Sequence, residues 1–200
     1  MALTKISNNS LSAISSLPAS IPTGALTLIS TQTASSSASI SFTSGIDSTY
    51  DSYVFKLINV QPATDSVILG LNFSTDGGSN YNVTKTTTFF RAFHSEADTT
   101  SFGYVTAEDL AQSTSDQNIM WNIGNGADEA SCSQIQLFNP SSTTFVKHFI
   151  VRSADYAAAS GAGDRFIAGY CNTTSAVDAV RFQFSSGNIA SGTFKLYGVS

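Results

Sequence analysis

Along most of this chain apolar and polar residues alternate with a period of two, and the alternation is broken at short intervals by Ser, Gly, Asp and Pro clusters. A period of two sends successive side chains to opposite faces of a β-strand. Segments 26–33, 39–43, 53–60, 67–73, 81–93, 103–109, 119–123, 132–139, 143–152, 165–170, 179–184 and 192–199 carry β-branched or aromatic residues between such breaks. They predict about twelve strands at the spacing of a sandwich or barrel. In 53–60, Tyr53, Phe55 and Leu57 alternate with Val54, Lys56 and Ile58, so both faces are partly apolar and the strand is expected to be central. Near the end, Val180, Phe182 and Phe184 precede a turn at 185–188 and then Phe194, Leu196 and Tyr197, and these two segments are expected to pair antiparallel. Only the Ala-rich stretch 154–159 hints at helix, and Gly161 and Gly163 follow so closely that a loop with one turn is expected there. The expected fold is all-β, an antiparallel β-sandwich of jelly-roll or lectin-like type over residues 25–200, preceded by an extended arm.

The arm, residues 1–24, is rich in Ser, Asn and Ala and carries Pro18 and Pro22. Its isolated apolar residues Leu3, Ile6, Leu11, Ile14, Leu17 and Ile21 recur every three to five positions. Ser and Asn are poor in helix interiors, and such a stripe cannot bury itself, so these six residues are expected to dock in a groove of another protein.

Composition narrows the function classes. Charged residues make up 12% of the chain, against roughly 25% in an average soluble domain, and Ser, Thr, Asn and Gly take their place. The surface is therefore hydroxyl- and amide-rich. Nine basic residues against fourteen acidic ones give a net charge of -5, with the basic residues scattered, which argues against nucleic-acid binding. The apolar runs are too short for a membrane-spanning helix, and the N-terminus lacks the apolar core of a secretory signal, so folding in a cytoplasm is expected. Cys132 and Cys171 lie far apart with no histidine at ligand spacing, and two buried free thiols are expected rather than a zinc site or disulfide.

Motifs with possible chemistry read mainly as structure. Ser74-Thr75-Asp76-Gly77-Gly78-Ser79-Asn80-Tyr81 resembles the Asp-box hairpin of sialidase-type propellers, but it occurs once, where a propeller repeats it, and a plain turn is expected. His94 and His148 have acids and serines available but no Gly-x-Ser-x-Gly elbow, and His148 falls at the polar phase of an apolar strand. Glu108-Asp109 and Asp128-Glu129 are adjacent pairs, expected to be solvated rather than convergent on a sugar or calcium ion. Trp121, the only tryptophan, is expected in the core. Tyr104, Tyr156 and Tyr170 are the candidates for a glycan groove, since sugars stack their C–H faces on exposed rings. No catalytic residue, cofactor or metal is expected.

Several of these segments together carry a resemblance to a family. They are Gln32 to Ala38, Phe42 to Asp47, Tyr53-Val54-Phe55, Phe73 to Tyr81, Leu137-Phe138-Asn139-Pro140-Ser141-Ser142, and Ser185 to Ile189 with Phe194 to Gly198. Over residues 33–199 the chain resembles small virion structural, tail-fibre-like proteins of marine tailed bacteriophages. The resemblance implies a non-enzymatic β-sandwich on the particle exterior, often trimeric, contacting capsid or tail proteins and, in a fibre, a host surface glycan. Ala2 to Asn9 looks like the lead-in of phage fibre proteins, but no repetitive shaft follows, which favours a capsid decoration or short appendage docked by its arm. A carbohydrate-binding receptor-recognition module is the alternative, and a glycan-cleaving enzyme a third.

Overall fold

The computed structural model describes residues 26–199, so the expected arm and its six apolar residues lie outside the described residues. Twelve strands make up the regular structure of the described residues: β1 (Leu26–Ser37), β2 (Ile40–Phe42), β3 (Ser52–Pro62), β4 (Val67–Ser74), β5 (Lys85–Ser95) and β6 (Thr100–Tyr104), then β7 (Gln117–Ile123), β8 (Ser131–Phe138), β9 (Lys147–Ala157), β10 (Gly161–Cys171), β11 (Ala179–Phe184) and β12 (Ile189–Val199). The described residues contain no helix. Every pairing is antiparallel, and all strands join one sheet in the order β1-β12-β3-β8-β9-β7-β4-β11-β2, with β10, β5 and β6 branching from β9. The link from β9 to β7 is a single residue pair, Ile123 with Ala157. There the sheet turns and comes back over itself, close to a closed barrel.

The turn is driven by what the strands must bury. β3 lies between β12 and β8, as its two-sided apolar pattern predicts, and Tyr53, Phe55 and Leu57 are fully covered. Phe55 meets Phe42 of β2 edge to face at 5.5 Å and Phe182 of β11 at 5.8 Å, and Phe182 in turn meets Phe194 of β12 at 5.6 Å. Further along, Phe73 of β4 packs on Phe149 of β9 at 5.0 Å. These rings come from opposite limbs of the sheet, and each buried one contributes about 1.5–3 kcal/mol, which exceeds any cross-strand pair on an exposed face.

Three expectations need correction. β11 and β12 do not pair: β11 lies between β4 and β2, and β12 between β1 and β3. Both strands carry Phe at core positions, and the connection at 185–188, turned by Gly187 at φ +69°, lets them face each other across the core instead of lying side by side. The stretch 154–159 is neither helix nor loop through most of its length, because β9 continues to Ala157 and a tight turn with Ser160 at φ +51° leads into β10. The sixth strand is Thr100–Tyr104 rather than 103–109. Ser95 N–H donates to Thr99 O at 2.9 Å and closes a hairpin there, after which the chain runs back beside β5, where Thr87 N–H donates to Leu110 O.

Because Phe182 touches rings from two other strands, Phe182→Ala is expected to cost about 3–5 kcal/mol of stability, read from the urea midpoint with an unchanged slope. A loss below about 1 kcal/mol would contradict its place at the centre of the core.

Candidate functional site

One face of the sheet is only partly covered. In β5, β9 and β10 the odd-numbered residues point inward and the even-numbered ones outward; in β9 Phe149, Val151, Ser153 and Asp155 are buried while His148, Ile150, Arg152 and Ala154 are exposed. Register sets the outward side chains in rows across the strands. One row runs Tyr104, Phe90, Phe166, Arg152 and Gln134 from β6 to β8. Phe90 and Phe166 stack in parallel at 4.9 Å, and the Arg152 guanidinium lies over the other face of Phe166 at 4.7 Å. Asp164 fixes that guanidinium with two hydrogen bonds of 2.8 and 3.2 Å from Nη2 and Nε. Phe102, 78% exposed, meets Phe90 edge-on.

The row forms a ridge because its neighbours are small. On one side Ala92, Ala154 and Ala162 floor a groove of about 810 Å³, walled by His94, Cys132, Gln134, Arg152 and Asp164. On the other, Thr88, Gln136, Ile150 and Ala168 line one of about 340 Å³. Phe166 is sandwiched between Phe90 and Arg152, so in the middle of the ridge a ligand meets ring edges and the alanine floors.

Behind the ridge, on the inward face, Arg165 Nε donates to Asp155 Oδ2 at 2.6 Å, with both side chains almost completely buried. Gly163 makes the room, since a Cβ there would lie 2.6 Å from Arg165 Nη2. Burial pushes the Asp155 carboxyl up to about 6, against the pull of Arg165. Such a pair adds little net stability and mainly fixes orientation, here beneath β9 and β10. Trp121 is half-buried rather than part of the core: Arg91 stands over its ring at 4.9 Å and Arg165 at 5.7 Å.

The structure places the three tyrosines on this face without bringing them together. Tyr104 lies opposite Phe90 and donates to Asp109; Tyr156 lies opposite Ala162 in a shallow pocket with Glu96; Tyr170 lies opposite His148, their rings 6.2 Å apart. Positions 162 and 170 of β10 are separated by roughly 26 Å of extended strand, so Tyr156 and Tyr170 cannot hold one short sugar. Phe90, Phe166 and Arg152 were not singled out in the sequence, although the parity of β5, β9 and β10 marks them as outward once register is known.

The remaining candidates diverge. His94 pairs with Asp98 at 3.1 Å at an exposed hairpin end. Glu108 accepts from Asn118 while Asp109 accepts from Tyr104. Glu129 accepts the Gly126 N–H at 2.7 Å and closes its own loop. Cys132 is exposed, correcting the expectation of two buried thiols, because Ser131, Ser133 and Ile135 take the inward positions of β8; Cys171 is buried. Among the described residues no group of three or more His, Cys, Asp or Glu could hold a metal ion, and no helix is long and apolar enough to cross a membrane. No family model, curated protein or solved structure matches the chain.

Asp76 does organise a turn: its carboxylate accepts from Ser74 Oγ at 2.7 Å and from Asn80 N–H and Nδ2 at 2.9 and 2.7 Å, with Gly77 and Gly78 at positive φ. Hydrogen bonds from Asn80 and Ser74 draw its pKa down to about 2. A lowered carboxylate pKa stabilises the fold above the ordinary value and ceases to do so as pH falls through the lowered one. Stability is therefore expected to fall between about pH 4 and about pH 2, and Asp76→Asn to flatten that window in urea titrations. An unchanged acid limb in the variant would contradict this role.

Proposed function

We propose that this chain is a non-enzymatic structural protein of a tailed-bacteriophage particle exterior, a capsid decoration or short head or tail fibre. In this reading it docks on other virion proteins through Leu3, Ile6, Leu11, Ile14, Leu17 and Ile21, and associates with copies of itself, as a trimer, through the ridged face. The observation that carries the reading is that face: Phe102, Phe90, Tyr104 and the 48%-exposed Ile150 lie together on strands that a monomer would normally cover or charge. The hydroxyl-rich, charge-poor composition and the family resemblance support the same reading. The two limbs of the sheet are read as the layers of a jelly-roll or lectin-like sandwich, with β4, β11 and β2 covering β3, β12 and β9.

A second reading, a receptor-recognition module binding a host glycan, is favoured by the larger groove. Gln134, Arg152 and Asp164 stand around an alanine floor there, and amide, guanidinium and carboxylate groups are suitable partners for vicinal hydroxyls.

Phe102→Glu and Ile150→Glu change exposed side chains, so both variants are expected to fold, with thermal midpoints close to the parent, while light scattering shows loss of self-association. Removal of residues 1–24 is expected to leave the domain folded and abolish attachment to particles. A parent chain that is monomeric and binds glycan beads through Asp164 would replace the first reading with the second. Attachment retained without the arm would overturn the docking assignment.

A further inference from the structure

Two lysines of this charge-poor chain are fully buried, and they flank Cys171 in register, Lys85 on β5 and Lys147 on β9. Burial pushes the Cys171 thiol up to about 12, so it stays protonated and offers neither ammonium a counterion. Lys147 Nζ donates to the main-chain oxygens of Phe145 and Thr173, groups with no reactive future. Lys85 differs. Its Nζ donates to Val83 O at 2.8 Å and to the side-chain Oδ1 of buried Asn72 at 2.7 Å. That oxygen also accepts the Phe73 N–H at 2.9 Å, while Asn72 Nδ2 donates to Asp116 Oδ1 at 2.6 Å and Thr114 O at 3.1 Å. One buried carboxamide is thus held between a buried amine at its oxygen and, at its nitrogen, the half-buried Asp116 carboxylate, which Arg181 Nη2 also meets at 3.3 Å.

We propose that Lys85 and Asn72 become joined by an intramolecular isopeptide bond, with Asp116 assisting departure of the Asn72 amide nitrogen as ammonia. A 2.7 Å contact to Oδ1 puts Nζ within roughly 4 Å of Cγ, a rotation away from attack. Burial, the largest cause, lowers the Lys85 pKa to about 8, so about a tenth of the side chain is the free amine near pH 7. Nζ forms a bond to Cγ and the carbonyl electron pair moves onto Oδ1, where the Phe73 N–H stabilises it. As the pair returns, the Cγ–Nδ2 bond breaks. One proton passes from Nζ to Nδ2, relayed by the Asp116 carboxylate already bonded to Nδ2, and ammonia leaves. Amine and carboxamide give a secondary amide and ammonia, with no oxidant or reductant required.

The bond would have a structural consequence. In the sheet β4 and β5 are separated by β7, β9 and β10, so a link from Asn72 to Lys85 closes that ring of strands covalently across its open side. This inference does not depend on the virion reading.

Mass spectrometry of the intact full chain tests it directly. After incubation at neutral pH the chain is expected to be lighter than its sequence mass by one ammonia, initiator methionine allowed for. A branched peptide should join the segment around Asn72 to that around Lys85. Lys85→Met should restore the full mass, and Asp116→Asn should slow the loss severalfold or abolish it. A parent chain at full mass overturns the proposal. So does an ammonia loss that persists in Lys85→Met, as succinimide closure at an asparagine such as Asn125, which precedes Gly126, would give. Cross-linking in Asp116→Asn at the parental rate would overturn the role given to Asp116. If Lys85→Met fails to fold, the branched peptide from the parent chain still decides.

Discussion

Phe182 holds the two limbs of the sheet together. It stands between Phe55 and Phe194, on strands that share no hydrogen bond with its own, and the three rings meet only if the sheet folds back over itself. The single residue pair between β9 and β7 is where that fold-over occurs. Once it has happened, the inward parity of every strand is fixed, and the outward parity with it. The ridge is a by-product of this constraint: residues such as Phe90 and Phe166 face outward because Phe89 and Ile167, one position away, are needed in the core.

Much of this was legible along the chain. The existence and number of strands, the absence of helix from the described residues and the central place of β3 follow from a period of two and from turn residues, which are local properties. Pairing was not legible. Phe182 and Phe194 are close in sequence and look like a hairpin, yet the same apolar alternation serves equally well for two strands facing across a core. Exposure at particular positions was missed for a related reason. Cys132 and Trp121 look apolar enough to be buried, but Ser131 and Ser133 hold the inward positions of β8, and two guanidiniums flank the indole.

Polar groups inside the molecule follow a different logic from those on the ridge. Asp155 with Arg165 and Lys85 with Asn72 lie where strand parity turns polar and charged residues inward; Asp155 Oδ1 and the two Arg165 Nη atoms are left without a partner, whereas Lys85 Nζ is held by Asn72 and Val83 O. Buried charges of this kind do little for net stability. They account for their own retention more readily if they set orientation, as under the ridge, or take part in chemistry, as at Asn72. The tyrosines selected in the sequence belong to neither group, and lie at the margins of the face while Phe90, Phe166 and Arg152 occupy its middle.

If the chain is a virion protein, as proposed, the ridge is an assembly surface on the particle rather than a free face. Cryo-electron microscopy of the intact virion tests this most directly. Density for the chain is expected on the particle exterior, with Phe90, Phe166 and Ile150 covered by a symmetry-related copy. Density in which that face is open to solvent, or particles that lack the chain altogether, would contradict it.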